Sequence, residues 1–170
     1  YLHMVDLGTG EKRNKIEVAT YVAGSVAVSD HLVYTGDYDG QFTCIDIKKG
    51  QILWKWQNPD NSLPFLGSPS IYKDKVVIGG EDKRLYCFNG TSGKLLWSYN
   101  AGGRIDASPV IIRDQVLTVT MDGMLYLVNL EDGKEMWSYE IGSAITHNPA
   151  VINGYLVLGA RDGNIYCLGK

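Results

Sequence analysis

No apolar run in this chain is longer than a few residues (VVI, YLVL), whereas a membrane-spanning helix needs about 20. Basic residues are not clustered either: 16 Lys and Arg are spread against 19 Asp and Glu, which excludes the electrostatic footprint of a nucleic-acid binder. No window sustains a helical period. There is no Ser-His-Asp set, no Gly-rich phosphate loop and no zinc motif. There is no Cys-Cys pair, and three cysteines in 170 residues do not fix a redox compartment. No signal peptide is visible at Tyr1, where the chain opens inside a repeat, so targeting information is read as cut away.

What the chain has in excess is glycine, with 20 residues, and tryptophan, with four. Both belong to a repeat. Pro69, Pro109 and Pro149 are 40 residues apart, as are Asp82, Asp122 and Asp162. Trp97 and Trp137 keep that step, while Gly50 to Gly93 and Trp54 to Trp97 are both 43, which places three extra residues between Trp54 and Pro69. The chain divides into the tail of a copy (1–18), full copies at 23–57, 66–100 and 105–140, and a last partial copy at 145–170.

Each full copy reads as four strands, such as SPVII, QVLTVT, MLYLVNL and KEMWSYEI in the copy at 105–140. They are short, rich in β-branched and aromatic residues, and bounded by turn pairs. Asp39-Gly40, Asp122-Gly123 and Asp162-Gly163 mark hairpins between strands two and three, because glycine supplies the positive φ of a tight turn. Asp82-Lys83 breaks that rule and predicts a turn of another type. The strands are apolar on successive residues, as in sheets covered on both faces. Four antiparallel strands per copy, repeated, predict an all-β fold: a β-propeller whose blades bury their faces against one another. Cys44, Cys87 and Cys167 share one slot with Met4 and Leu127, so they read as small apolar packing residues.

The turns between strands three and four read CIDIKKGQILW (44–54), CFNGTSGKLLW (87–97) and LVNLEDGKEMW (127–137). This frame resembles the tryptophan-docking motif of the pyrroloquinoline-quinone-type (PQQ-like) repeat, found in quinoprotein dehydrogenases and in a non-enzymatic propeller lipoprotein of the outer-membrane barrel assembly machinery. The resemblance covers nearly all of the chain. Gly50, Gly93 and Gly133 are expected to take positive φ, and Asp46, Asn89 and Asn129 to bond the turn backbone. Trp54, Trp97 and Trp137 are expected to lie against the neighbouring blade. Asn14 stands where a tryptophan is expected, which predicts a weaker junction. Asn89-Gly90-Thr91 matches a glycosylation sequon but fills the turn slot. The resemblance implies seven or eight blades in a whole propeller, of which about four are present. A closed four-bladed ring with one surplus strand is the alternative.

Because strands are consumed by packing, function is expected on loops. Those leading into strand one share a face with the Asp-Gly turns and are expected to rim the central channel. They hold Arg104 and Asp106, Thr146 and His147, and the longer NPDNSLPFL segment. Phe65, Arg104, Asp106 and His147 form the candidate binding site, with Trp56, Pro64 and Phe65 as aromatic or apolar anchors for a partner. The competing reading is a solvated rim with a weak Arg104–Asp106 pair and with Phe65 and Trp56 packed under the loop. Asp37-Tyr38-Asp39-Gly40 is similar to the start of a calcium loop but lacks its later glutamate. No metal role is assigned to it, nor to His3 or His31.

These readings favour a non-catalytic scaffold or recognition module, without cofactor, that binds a protein or peptide through its rim loops. Its other neighbours would be the missing blades, and its location extracytoplasmic. The resemblance also implies two alternatives. One is part of a dehydrogenase dependent on pyrroloquinoline quinone (PQQ) and calcium. The other is the sensor domain of a larger receptor or kinase.

Overall fold

The computed structural model describes every residue except Ala19 and Lys170. Its regular elements are all strands, arranged in five sheets. The first sheet has β1 (Leu2–Val5) and β2 (Lys12–Ile16). The second has β3 (Ala27–Ser29), β4 (Leu32–Gly36), β5 (Gln41–Asp46) and β6 (Gln51–Gln57), and the third β7 (Ser70–Tyr72), β8 (Lys75–Gly79), β9 (Arg84–Asn89) and β10 (Leu95–Asn100). The fourth has β11 (Val110–Ile112), β12 (Gln115–Val119), β13 (Met124–Asn129) and β14 (Glu135–Glu140), and the fifth β15 (Ala150–Ile152), β16 (Tyr155–Gly159) and β17 (Ile165–Leu168).

Within each sheet the strands pair antiparallel in sequence order. Between sheets the first strands meet, β3 with β7, β7 with β11 and β11 with β15. Strand one is therefore innermost and the sheets stand around an axis as propeller blades. Among the described residues no strand pairing joins the first sheet to the fifth, so the blades form an arc and not the closed four-bladed ring.

Strand one is shorter than SPVII suggests, because its first two residues serve the seam between blades. Pro109 has no N–H to give a ladder, and the Ser108 N–H donates to Asn148 Oδ1 at 2.7 Å. The same link recurs around the axis, with Ser25 N–H bonded to Ser68 Oγ and Ser68 N–H to Ser108 Oγ.

Four apolar clusters fill the four seams. Ile16, Val18, Val33 and Ile45 lie between sheets one and two, and Tyr34, Phe42, Phe65, Tyr86 and Phe88 between two and three. Val77, Leu85, Trp97, Val116 and Leu130 lie between three and four, and Val119, Leu125, Ile145 and Leu158 between four and five. Inner sheets are buried on successive residues, as in β5 and β9. The outermost strands β1 and β17 alternate, since only one face of each is covered.

The turn at Asp82-Lys83 corrects the sequence reading. Lys83 takes φ 70° in the slot where Gly40, Gly123 and Gly163 take 73°, 91° and 84°. Its N–H bonds Gly80 O as the Gly40 N–H bonds Asp37 O. The turn is the same, built with a residue that resists it.

Candidate functional site

The tryptophans are joints rather than a site. Trp54 Nε1 donates to Gly90 O of the next sheet at 2.8 Å, and Trp97 Nε1 to Leu130 O at 2.9 Å. Their rings lie against Gly93 and Gly133, where an added Cβ would come within 2.6 Å and 2.7 Å. Each turn is held from within, Lys49 N–H on Asp46 Oδ1 and Ser92 N–H on Asn89 Oδ1. Asn14 faces Gly50 in the same relation, 2.7 Å from where a Cβ would be. Trp137 departs from the expectation. It is 38% exposed and stacks on Tyr139 with rings 5.9 Å apart. The fifth sheet ends its described residues on β17 and presents no turn to receive it.

The rim is built by hydrogen bonds between inter-blade loops and strand two–three turns. Glu81 N–H bonds Pro64 O, Met121 N–H bonds Arg104 O and Arg161 N–H bonds Ala144 O, within each blade. Phe65 N–H bonds Asp37 O and Ile105 N–H bonds Gly80 O, reaching back to the preceding blade. The loops ahead of sheets three and four are thus each clamped to two blades.

On this rim the structure joins two of the expected residues and adds a third. The Arg104 guanidinium donates to Asp106 at 3.1 Å and to Glu81 across the seam between sheets three and four. Arg104 is half exposed while both carboxylates are largely covered. The group therefore presents one cation held between two acids, a net negative cluster with its guanidinium face toward solvent. Glu81 was not singled out by sequence, because its partner lies in a different turn. Its position in the one turn lacking Gly was the available signal.

The other candidates separate. His147 is exposed one loop further on, with Nδ1 2.9 Å from Thr146 Oγ1. Phe65, 2% exposed, is no ligand contact. Its Cβ lies 2.4 Å from where a Cβ on Gly36 would be, and Ile105 fills the same role over Gly79. Trp56 likewise packs on Tyr86 and Phe88, with centroids 4.9 Å and 5.0 Å away, inside the seam between sheets two and three. Phe65 is core, and Trp56 is partly buried against the same cluster.

Among the described residues no three His, Cys, Asp or Glu side chains gather to hold a metal ion. Asp37, first of the calcium-like stretch, spends Oδ1 on the N–H groups of Asp39 and Gln41. His31 lies between Asp30 and Asp46, 2.5 Å from the first and 3.7 Å from the second.

Comparison with known proteins places this geometry. The family described as outer membrane protein assembly factor BamB matches residues 1–170. BamB of Nitrosomonas eutropha is 28% identical over 97 residues, covering 57% of this chain and 23% of that protein. A quinoprotein ethanol dehydrogenase of Pseudomonas putida is 32% identical over 82 residues, covering 44% of this chain and 13% of that one. The aligned segments thus span less than a quarter of either relative's length. Among solved structures, BamB from Moraxella catarrhalis superposes with a TM-score of 0.76 at 20% identity, covering 87% of this chain and 46% of that one. The computationally designed Ika8 gives 0.82 at 19% identity, covering 98% and 51% respectively. The designed Ika4 gives 0.77 at 19%, covering 91% and 95%.

Proposed function

Since the chain belongs to the family of the outer membrane protein assembly factor BamB, a PQQ-like repeat propeller, we propose that it is a non-catalytic scaffold segment in outer-membrane protein assembly, working outside the cytoplasm and binding a partner protein through its rim loops. The observation that carries this reading is the Arg104 group. Its guanidinium is half exposed and fixed by Glu81 and Asp106 on the rim, while the large aromatics Phe65 and Trp56 are spent inside a seam. A pre-ordered guanidinium loses little freedom on binding and offers planar, directional donors. His147, exposed on the next loop, widens the same rim.

The name of the Pseudomonas putida relative raises the dehydrogenase reading. Its shared portion is small, and no metal-holding cluster occurs among the described residues.

The test uses the full-length protein. Capture of a purified outer-membrane assembly partner should be lost on Arg104→Ala with His147→Ala. It should persist on Lys134→Ala, at the opposite end of the sheets. Equal capture by all three, or dye reduction by an alcohol after loading with PQQ and calcium, would sink the scaffold reading.

A further inference from the structure

The seam between sheets one and two breaks the repeat at one place. In the next seam, Asn58 Nδ2 donates to Asp82 Oδ2 and to Tyr86 Oη, both at 2.9 Å, and Tyr86 donates to Asp82. Those three side chains plug the gap below the rim. By the repeat register their counterparts are Val18, Asp39 and Thr43. Valine donates nothing, and threonine is too short to reach the aspartate. The Thr43 hydroxyl is left fully buried without a hydrogen-bond partner among the described residues.

Where the plug would be, a pocket of about 350 Å³ opens, lined by Glu17, Val18, Asp37, Asp39, Gln41 and Lys55. Thr43 sits on the same face of its sheet as Gln41 and Lys55, opposite Lys55 in the ladder. Three carboxylates share this lining with a single ammonium, which donates to Val18 O at 3.2 Å. Asp37 lines the pocket while only 2% exposed. Its Oδ1 is taken by the turn, and among the described residues no donor reaches Oδ2. Next in the chain to the lining residues Thr20, Asp37 and Asp39, Tyr38 N–H bonds Tyr21 O, and the two rings, both exposed, meet edge to face with centroids 5.4 Å apart.

We propose that this pocket receives an arginine side chain carried by an extended segment of a partner protein. The acidic lining supplies the counter-charge and acceptors that a guanidinium fork needs. The tyrosine pair offers an aromatic face beside it. The volume is at the low end for ligand pockets, the size of one side chain rather than a cofactor. Burial holds the Asp37 carboxyl above its ordinary range, and a bound cation would reverse that cost. The proposal does not rest on the Arg104 group, which belongs to a different seam.

Titration of the isotope-labelled chain followed by amide NMR tests it, with N-acetyl-arginine amide, the neutral isostere N-acetyl-citrulline amide, and putrescine as probes. The arginine amide should shift Asp39 and Gln41 saturably, with citrulline at least ~10-fold weaker because it lacks the charge. Asp37→Asn keeps the Oδ1 acceptor of the turn, and Glu17→Gln alters an exposed position. Each should weaken the arginine amide by roughly tenfold, while Glu140→Gln, at an exposed position on the fourth sheet, leaves it unchanged. If Asp37→Asn fails to fold, Glu17→Gln decides. Equal binding of citrulline, or indifference to the charge-removing variants, overturns the proposal. Tighter binding of putrescine than of the arginine amide also overturns it, in favour of a free diamine.

Discussion

Trp54 and Gly93 form one joint between two blades. The indole N–H reaches Gly90 O at 2.8 Å, and the ring occupies the space a Cβ on Gly93 would need, 2.6 Å from its Cγ and Cδ2. Gly93 also holds φ 70°, so its missing side chain serves both the turn and the ring. Gly10 has nearly the same φ, 74°, with nothing within 4 Å.

The pair separates backbone strain from packing. Gly10→Ala should cost about 1 kcal/mol of unfolding free energy, for the left-handed φ alone. Gly93→Ala should cost roughly 2–4 kcal/mol, since the indole must also move. In a double-mutant cycle with Trp54→Ala, the excess should largely disappear. Equal urea-denaturation losses for the two alanines would mean that the ring does not press on the turn.

Lys83 makes the opposite prediction. It occupies the left-handed region where the other three turns use glycine, so Lys83→Gly should stabilise by about 0.5–1 kcal/mol, the strain released exceeding the added chain entropy. A lower melting temperature for this variant would show that the lysine side chain contributes more than its backbone costs.

The cysteines divide by burial. Cys44 and Cys87 are buried, and burial pushes each thiol up to about 12 from 9.0. Cys167 is exposed. A thiol reagent at neutral pH should label one cysteine per native chain and three in denaturant. The two raised pKa values also set an alkaline trend. The unfolded thiols ionise first, so stability is intact below about pH 9 and falls as pH climbs toward 12. Rapid native labelling of all three thiols would refute the packing role.

Much of this could be read from the spacing of Pro, Asp, Gly and Trp, because each marks a turn or joint that the repeat must rebuild. Other features needed three dimensions. In every strand three–four pair the register shifts just before the joint residue, as where Cys44 pairs Trp54 but Ile45 pairs Ile52. The bulge re-aims the indole toward the next blade, and no residue type announces it, since the passed-over residues are Arg13, Leu53, Leu96 and Met136. Phe65 misled for the reverse reason. It follows a polar insertion and reads as loop, yet counting back from Pro69 puts it level with Ile105 and Ile145, both buried. The Arg104–Asp106 pair was legible as neighbours in sequence. Glu81 was not, because it reaches Arg104 only when two blades stack.

Asn14 offers a repair of the joint between the first two sheets. The receiving half is present: Gly50 holds φ 67°, with the asparagine amide against it. Ile47 O stands where Gly90 O and Leu130 O accept their indoles. The match follows from Ile47 N–H bonding His31 O as Gly90 N–H bonds Asp74 O and Leu130 N–H bonds Asp114 O. Asn14→Trp should therefore add an indole–carbonyl bond and bury ring area that asparagine leaves open, stabilising by roughly 1–2 kcal/mol. Asn14→Ala should gain nothing, since it supplies neither ring nor donor. Fluorescence gives an independent readout. A docked indole emits toward the blue, whereas the half-exposed Trp137 does not, so the added emission should shift blue and move red only as the chain unfolds. An added red-shifted emission with an unchanged melting temperature would mean that the joint between the first two sheets is closed by other contacts.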